Sequence, residues 1–376
     1  MAITKYNDNT WYSISSRQVC PVCGSKKGRC GVLMNQDNEP VLFRCKYATS
    51  SRPSKDGWYI HLAKDVLGTN ANTKSNFVNI LPTVKKVEIT EEILKLRSDV
   101  YTRMRELMKK FKGSYIPYEE DKQDLFVRRG QSEKVVEHMG IFSCPRRETI
   151  TYDGKTMQLK TAIVNKLLES FSAEQLLKVA GFEKKINKNN GSEFITFKSN
   201  DGYYIPYKDE KNQIIAMQYR LIKPYIDSKG KPIRYLWLSS EFATSGSPID
   251  YYVPSELKRD DVFVLCEGSL KTKISAEILG YRSLAEGGVG NYRQMVAKLL
   301  ELEEKENRKF NVILAHDMDK YSNDDVLSAE INALKLLKAS GHNVAIAEWD
   351  CKTSKGLDDA LLNNQKIDYL LVKLVR

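Results

Sequence analysis

Two stretches constrain this chain most: Val262-Phe263-Val264-Leu265-Cys266-Glu267-Gly268 and Val312-Ile313-Leu314-Ala315-His316-Asp317-Met318-Asp319. Each is a β-branched apolar run that ends abruptly in acid, the pattern of a buried parallel strand delivering carboxylates at its C-terminal end. Side chains alternate along a strand, so Asp317 and Asp319 are expected on one face, with Met318 turned back into packing. If the two strands are neighbours, Glu267 joins them. Three carboxylates at one sheet edge repel one another unless a cation neutralises them, and hard oxygen ligands of this kind suit Mg²⁺ or Mn²⁺. That is a phosphoryl-transfer site in outline. The plainer alternative is that the aspartates cap the next helix and Glu267 is a solvated strand end.

The flanking pattern predicts repeated β-α units. Residues 269–280 read as a helix with Leu270, Ile274, Ile278 and Leu279 on its apolar face and a glycine at its end. A strand over 281–285, a helix over 292–306, the aspartate-bearing strand, a helix over 325–340 stopped by Gly341, and a strand over 343–349 follow. Such alternation predicts an α/β domain, a parallel sheet flanked by helices, over 258–376.

Four cysteines cluster near the start, Cys20-Pro21-Val22-Cys23, then Cys30, then Cys45. A Cys-x-x-Cys turn presents two thiolates to one ion, with Gly24 supplying the bend. Cys30 and Cys45 complete a tetrahedron across a hairpin of 32–34 and 41–43, which predicts a structural Zn²⁺ in a small ribbon over 1–68. His61 in place of Cys30, or a redox role for Cys20 and Cys23, are the alternatives. Lys26, Lys27 and Arg44, interleaved with Trp11, Tyr12, Phe43 and Tyr47, suit the phosphates and bases of single-stranded DNA.

Polar residues over 69–89 read as a linker. Beyond it, residues 91–111 form a long amphipathic helix N-capped by Thr90, with a solvated charged face. A helical hairpin surrounds Gly130 and Ser132, and residues 201–210 and 213–220 form a β-hairpin. Together these predict an α+β region over 90–257.

The 376 residues carry a net charge of +11 with 41% hydrophobic content. That excess implies a polyanionic partner, most simply nucleic acid, because no run of membrane-spanning length accompanies it. The N-terminus lacks the apolar core of a signal peptide, so the expected location is the cytoplasm and the seven cysteines are expected as thiols.

Glu-Gly closing one strand and Asp-x-Asp closing another, in this β-α order, resemble the Toprim domain of DnaG-type primases, topoisomerases and OLD-type nucleases. Lys271 after the Glu-Gly, and Gly356-Leu357-Asp358-Asp359, look closer to the primases of phages and mobile elements. The Arg-Gly-x-Ser pattern at 129–132, the Ile205-Pro206 hairpin ending at Arg220, and the stretch 234–239 resemble the primase core, and the ribbon resembles the family's N-terminal zinc domain. The family's usual ribbon has a His among its ligands; here there are four cysteines. The resemblance implies a DNA primase that makes short RNA on single-stranded DNA from nucleoside triphosphates. It places Glu267, Asp317 and Asp319 on the metal with Lys271 and Asp359 beside them, and Arg220, Arg234 and Arg128 on nucleotide or template. No Walker-type motif occurs, so a replicative helicase would be a separate chain. A Toprim nuclease, or a non-catalytic single-stranded-DNA-binding replication factor, is the alternative.

Overall fold

The structure, a computed structural model, describes residues 5–6, 9–14, 20–24, 30–35, 40–45, 48, 50, 58–67, 89–187, 190–226, 230 and 232–372. The chain divides into two compact units, residues 1–85 and 86–376. All of the expected linker except Ile89 lies outside the described residues.

In the first unit, β1 (Lys5–Tyr6), β2 (Asn9–Ile14), β3 (Cys30–Met34), β4 (Pro40–Cys45) and β5 (Tyr59–Leu62) form an antiparallel sheet in chain order, followed by α1 (Ala63–Leu67). The expected hairpin is β3 and β4, and its register sets Cys30 opposite Cys45. Ile14, Val32, Met34, Phe43 and Ala63 pack with the cysteines into a small core. So small a core needs a further cross-link to hold one fold.

The second unit begins with α2 (Glu91–Lys112), whose N-cap Thr90 accepts from Ile93 N at 3.3 Å. Val100, Tyr101, Met104, Leu107 and Met108 bury its inner face. The expectation of a solvated charged face is corrected at one position: Arg97 is buried and donates to the carbonyls of Ile215 and Thr244. Next come α3 (Glu119–Lys122), continued by a π-helical turn (Gln123–Arg128), then α4 (Glu133–Met139), capped by Ser132. After β6 (Phe142–Ser143) the chain forms the hairpin β7 (Thr149–Tyr152) and β8 (Lys155–Gln158), helices α5 (Leu159–Leu168) and α6 (Ala173–Leu177), and the hairpin β9 (Phe182–Ile186) and β10 (Glu193–Phe197). The strands β11 (Gly202–Lys208), β12 (Ile214–Ile226) and β13 (Pro232–Trp237) join β6 in an antiparallel sheet ordered β13-β12-β11-β6.

A six-stranded sheet completes the unit. It contains β14 (Asp250–Tyr252), β15 (Arg259–Glu267), β16 (Tyr281–Glu286), β17 (Asn311–Ala315), β18 (Val344–Glu348) and β19 (Asp368–Leu371), in the order β14-β16-β15-β17-β18-β19. The four central strands are parallel, and the outer two run against them. Helices α7 (Ser269–Leu279), α8 (Tyr292–Glu306), α9 (Asp324–Ala339) and α10 (Leu357–Leu362) connect or flank them. The strand ending in Glu267, β15, and the strand leading to Asp317, β17, are neighbours.

The two sheets of this unit are joined through their interior. Lys273 on α7 is fully buried and donates to Pro206 O of β11 at 2.7 Å and to Asp250 of β14. Around it, Leu125, Met139, Tyr203, Ile205, Leu270 and Ile274 share one apolar cluster. A lone buried ammonium costs several kcal/mol, so Asp250 and the carbonyl are required partners.

Gly202, at the start of β11, has φ of +145°, and a Cβ there would lie 1.9 Å from the Arg220 carbonyl oxygen. Because the obstacle is backbone, β12 must move. Gly202→Ala is expected to cost at least about 3 kcal/mol, read as a lowered midpoint in denaturant unfolding.

Candidate active site and metal centre

The thiols of Cys20, Cys23, Cys30 and Cys45 lie within 4.8 Å of one another, and among the described residues they are the one group of three or more potential ligands so gathered. Cys23 Sγ and Cys30 Sγ are 3.8 Å apart, and Cys30 Sγ and Cys45 Sγ 3.7 Å. Four sulfurs at about 2.3 Å from one zinc have tetrahedral edges of about 3.8 Å, so the cluster fits that ion. Gly24, at φ +66°, closes the turn by donating to Cys20 O at 2.8 Å, and Ala48 N–H donates to Cys45 Sγ at 3.3 Å. His61 stands outside the cluster, pairing with Phe43 on the neighbouring strand and placing Nε2 3.2 Å from Ala48 O. That removes the alternative in which it replaces Cys30. Arg44 lies between the rings of Trp11 and Trp58, at 4.8 and 4.9 Å. Lys26 and Lys27 lie outside the described residues.

The acidic edge forms where β16, β15 and β17 end. Register sets Glu267 beside Glu286. Strand β17 stops at Ala315, so the expectation that Asp317 and Asp319 alternate along a strand is corrected: Asp317 precedes a 3₁₀ turn (Met318–Tyr321) that contains Asp319. The turn is anchored by Met318 N–H donating to Lys355 O at 2.9 Å, and Met318 is buried, as expected. Lysines neutralise both aspartates. Lys271 Nζ lies 2.6 and 2.7 Å from the two oxygens of Asp317, and Lys355 Nζ lies 2.7 Å from Asp319 Oδ2 and 3.5 Å from Asp317 Oδ2. Burial opposes the charge on Lys271, but Asp317 and Glu267 prevail and raise its pKa. Burial, then the charges of Asp317 and Glu286, push the Glu267 carboxyl up, against Lys271 and His316.

Asp358, rather than Asp359, turns inward here. Asp359 is exposed on α10, whereas Asp358 is buried, 3.2 Å from Arg129 Nη1, with a pKa raised first by burial and then by Asp359. A Cβ on Gly356 would stand 2.5 Å from Asp358 Oδ1, 3.2 Å from Lys271 Cδ and 3.6 Å from Asp317 Oδ1, so a larger residue would require the Asp358 carboxylate to shift. Asp319 Oδ1 and Asp358 Oδ1 are buried without a hydrogen-bond partner among the described residues. Unfilled carboxylate oxygens of this kind suit a hard divalent cation. Fully buried Glu286 has no hydrogen-bond donor on either oxygen among the described residues, and His316 Nε2 is 3.4 Å from its Oε1. His316 Nδ1 lies 3.9 Å from Glu330, which Lys320 holds at 3.0 Å.

Arginines meet this edge through Asp124. The π-helical turn widens the helix by one residue, so Arg129 N–H reaches back to Asp124 O at 3.2 Å and both Arg128 and Arg129 come round to the Asp124 carboxylate. Arg220 Nε donates to Asp124 Oδ2 at 2.8 Å and Tyr203 O–H at 2.6 Å. Arg220 is thus buried in an ion pair, over the Tyr235 ring, rather than presented to solvent; Arg234 is exposed on β13. Arg129 bridges Asp124 to Asp358 and stands 3.4 Å from Tyr235 Oη. Sequence reasoning missed Asp124, Arg129 and Lys355. The i, i+4 spacing of Asp124 and Arg128, and the arginine of the Arg-Gly-x-Ser pattern being Arg129, were the available signals.

Residues 258–367 match a family described as a domain of unknown function, DUF3854. No curated protein sequence matches the chain. Among solved structures, the zinc-binding and RNA polymerase domains of the Aquifex aeolicus primase are similar at 15% identity over 98% of this chain and 81% of that one, with a TM-score of 0.46. The RNA polymerase domain of Mycobacterium tuberculosis DnaG, in complex with a double-stranded DNA oligomer bearing an overhang, is similar at 13% identity over 73% and 77%, with a TM-score of 0.48. A DnaG catalytic domain bound to single-stranded DNA is similar at 15% identity over 72% and 79%, with a TM-score of 0.44. Likeness at this level assigns no residue a role.

Burial raises the Asp124 pKa, but Arg220, Tyr203 and Arg129 outweigh it and bring the value to about 2, below the ordinary 3.8. The ionised form is therefore favoured by folding: its contribution, about 2 kcal/mol, is complete above about pH 4 and is lost as pH falls towards 2. Asp124→Asn strands buried guanidinium groups and is expected to cost about 3–5 kcal/mol at neutral pH. The gap from wild type should narrow below pH 4, as measured by denaturant unfolding over a pH series.

Loss of one zinc ligand is expected to act locally. Cys23→Ser should lower the zinc found by elemental analysis and expose residues 1–85 to protease, while the unfolding of residues 86–376 is unchanged.

Proposed function

We propose that this protein is a DNA primase of the Toprim type, joining ribonucleotides on a single-stranded DNA template. The observation that carries this reading is the acidic edge: Glu267, Asp317, Asp319 and Asp358 gathered where parallel strands end, with lysines among them and carboxylate oxygens left unfilled. Glu267, Asp317 and Asp319 would hold Mg²⁺ or Mn²⁺. When bound, the divalent cations supply positive charge at the primer 3′-hydroxyl and the departing pyrophosphate.

The chain's own groups then have distinct tasks. Lys271 and Lys355, which now neutralise Asp317 and Asp319, stand where the triphosphate brings its charge, and Lys271 is held there by α7. Arg129 fixes the Asp358 carboxylate from behind, and Gly356 leaves room at its oxygen. Exposed Arg234 remains free to meet the triphosphate or template, whereas Arg220 positions Asp124 and through it Arg128 and Arg129. The cysteine cluster would hold a structural Zn²⁺, with Arg44 between its tryptophans offering a cationic, aromatic contact to unpaired bases. The net charge of +11 supports the polyanionic partner. No helix among the described residues is long and apolar enough to cross a membrane.

Protein, single-stranded DNA, Mn²⁺ or Mg²⁺ and labelled nucleotides test the reading directly. New oligoribonucleotides are expected; a shortened template instead would identify a nuclease, and binding alone a replication factor. Asp317→Asn, Asp319→Asn and Glu267→Gln should each reduce synthesis by at least about 100-fold while template affinity is kept. An Asp319→Asn protein with near-normal synthesis at limiting Mg²⁺ would remove the metal assignment.

A further inference from the structure

Helix α5 and strand β10 face each other across a groove of about 940 Å³, closed at its side by the loops at 145–147 and 199–201. Lys160, Thr161, Val164, Asn165 and Leu168 recur at helical spacing along one wall, and Phe194, Ile195 and Thr196 form the other. Val164 is buried in the floor, while the Phe194 ring is 45% exposed. None of the lining residues belongs to the acidic edge or to the cluster around Asp124.

The charges on this groove are unbalanced in a specific way. Of its four cations, Arg146 is held by Glu120 and Asp121, and Lys184 by Glu193 at 2.8 Å. Arg147 and Lys160 have no carboxylate within ion-pair distance among the described residues; the remaining acid, Asp201, is exposed on the opposite loop. Lys160 is half-buried, its ammonium 5.2 Å from the Phe197 ring centre, and burial followed by the charge of Lys185 lowers its pKa against the opposing charge of Glu183. The first turn of α5 holds no acidic residue and Gln158 makes no side-chain cap, so the helix adds positive potential where Lys160 stands. A partly desolvated cation without a contacting carboxylate is destabilising, and a ligand anion relieves it. An apolar floor with an exposed aromatic ring, beside two uncommitted cations, matches a nucleotide unit whose base is unpaired.

We propose that this groove binds single-stranded nucleic acid, a base stacking on Phe194 and the adjoining phosphate meeting Lys160 and Arg147. The assignment rests on the groove's own chemistry and does not require the reaction proposed above. A base inside a duplex cannot stack on a ring at the groove wall, so duplex DNA is expected to bind less well.

The test uses the full chain and a fluorescein-labelled oligothymidylate, with anisotropy followed over a salt series. Phe194→Ala should weaken binding by about 5- to 100-fold, and Lys160→Gln should weaken it and lower the salt slope by about 0.7. Lys335→Gln, on exposed α9, serves as the basic-surface control and should change little. A 5-iodouracil oligonucleotide should cross-link to residues 193–197, and unfolding midpoints should stay at the wild-type value. Wild-type affinity and salt slope in both groove variants, or effects no larger than that of Lys335→Gln, would overturn the proposal. So would a loss confined to free nucleotide binding. Groove-dependent binding without primer synthesis would sink the reaction and leave the groove; synthesis with wild-type template affinity in both variants would do the reverse.

Discussion

Like charges gathered at one place must be neutralised, and much of the second unit is arranged around that requirement. Parallel strands bring Glu267, Glu286 and the Asp317 turn to a common edge, where burial and then the charges of Asp317 and Glu286 disfavour ionisation of Glu267. Lys271 and Lys355 answer from α7 and from the loop before α10, and Arg129 answers Asp358 from the helical part. The edge is therefore not a surface patch of acids. Each anion but Glu286 has a cation within reach or some exposure, and Glu286 faces His316. The loop at Lys355 and helix α10 thus complete an edge that the central strands begin.

The same requirement ties the antiparallel sheet to the parallel one. Asp124 gathers three arginines because a π-helical turn adds one residue between it and Arg129. Arg129 then passes the restraint on to Asp358, so the position of an acid on α10 depends on a carboxylate more than two hundred positions away. Buried ion pairs of this kind contribute little net stability compared with apolar packing of equal volume, but losing one partner is costly. Their use here is geometric: they hold charged groups to one arrangement. Lys273 does likewise between Pro206 and Asp250, within the apolar cluster that joins the two sheets.

Much of this fold was legible because its signals are local. The strand ending at Glu267, the helix at 292–306, the hairpin leading to Arg220 and the pairing of Cys30 with Cys45 follow from period, glycine stops and cysteine spacing. The error at Asp317 and Asp319 arose where periodicity stops being informative. Alternation was extended past Ala315, but the backbone turns there to satisfy Lys355 O, a partner nearly forty residues on. Arg97 looked like part of a solvated face because nothing local reveals the carbonyls of Ile215 and Thr244. Arg220 is expected at a strand end, but β12 runs on to Ile226, so it lies within the strand, and its burial depends on Asp124, which no strand pattern predicts.

The lysines set a condition on how the acidic edge works. An Asp317 carboxylate that takes both of its oxygens to Lys271 has little left to offer a cation, so filling the site requires Lys271 to withdraw or to share. Lys271 has somewhere to go only if another anion arrives, because a bare ammonium in this half-buried place is disfavoured. On the proposed reading, a triphosphate would supply that anion. Cation and nucleotide are then expected to bind with positive coupling, each easing the displacement that the other needs, and the coupling must be equal in both directions. The unfilled oxygens of Asp319 and Asp358 mark where a first cation would meet least competition. An edge built in this way is neutralised by its own lysines, and on the proposed reading it would become receptive only when substrate is at hand.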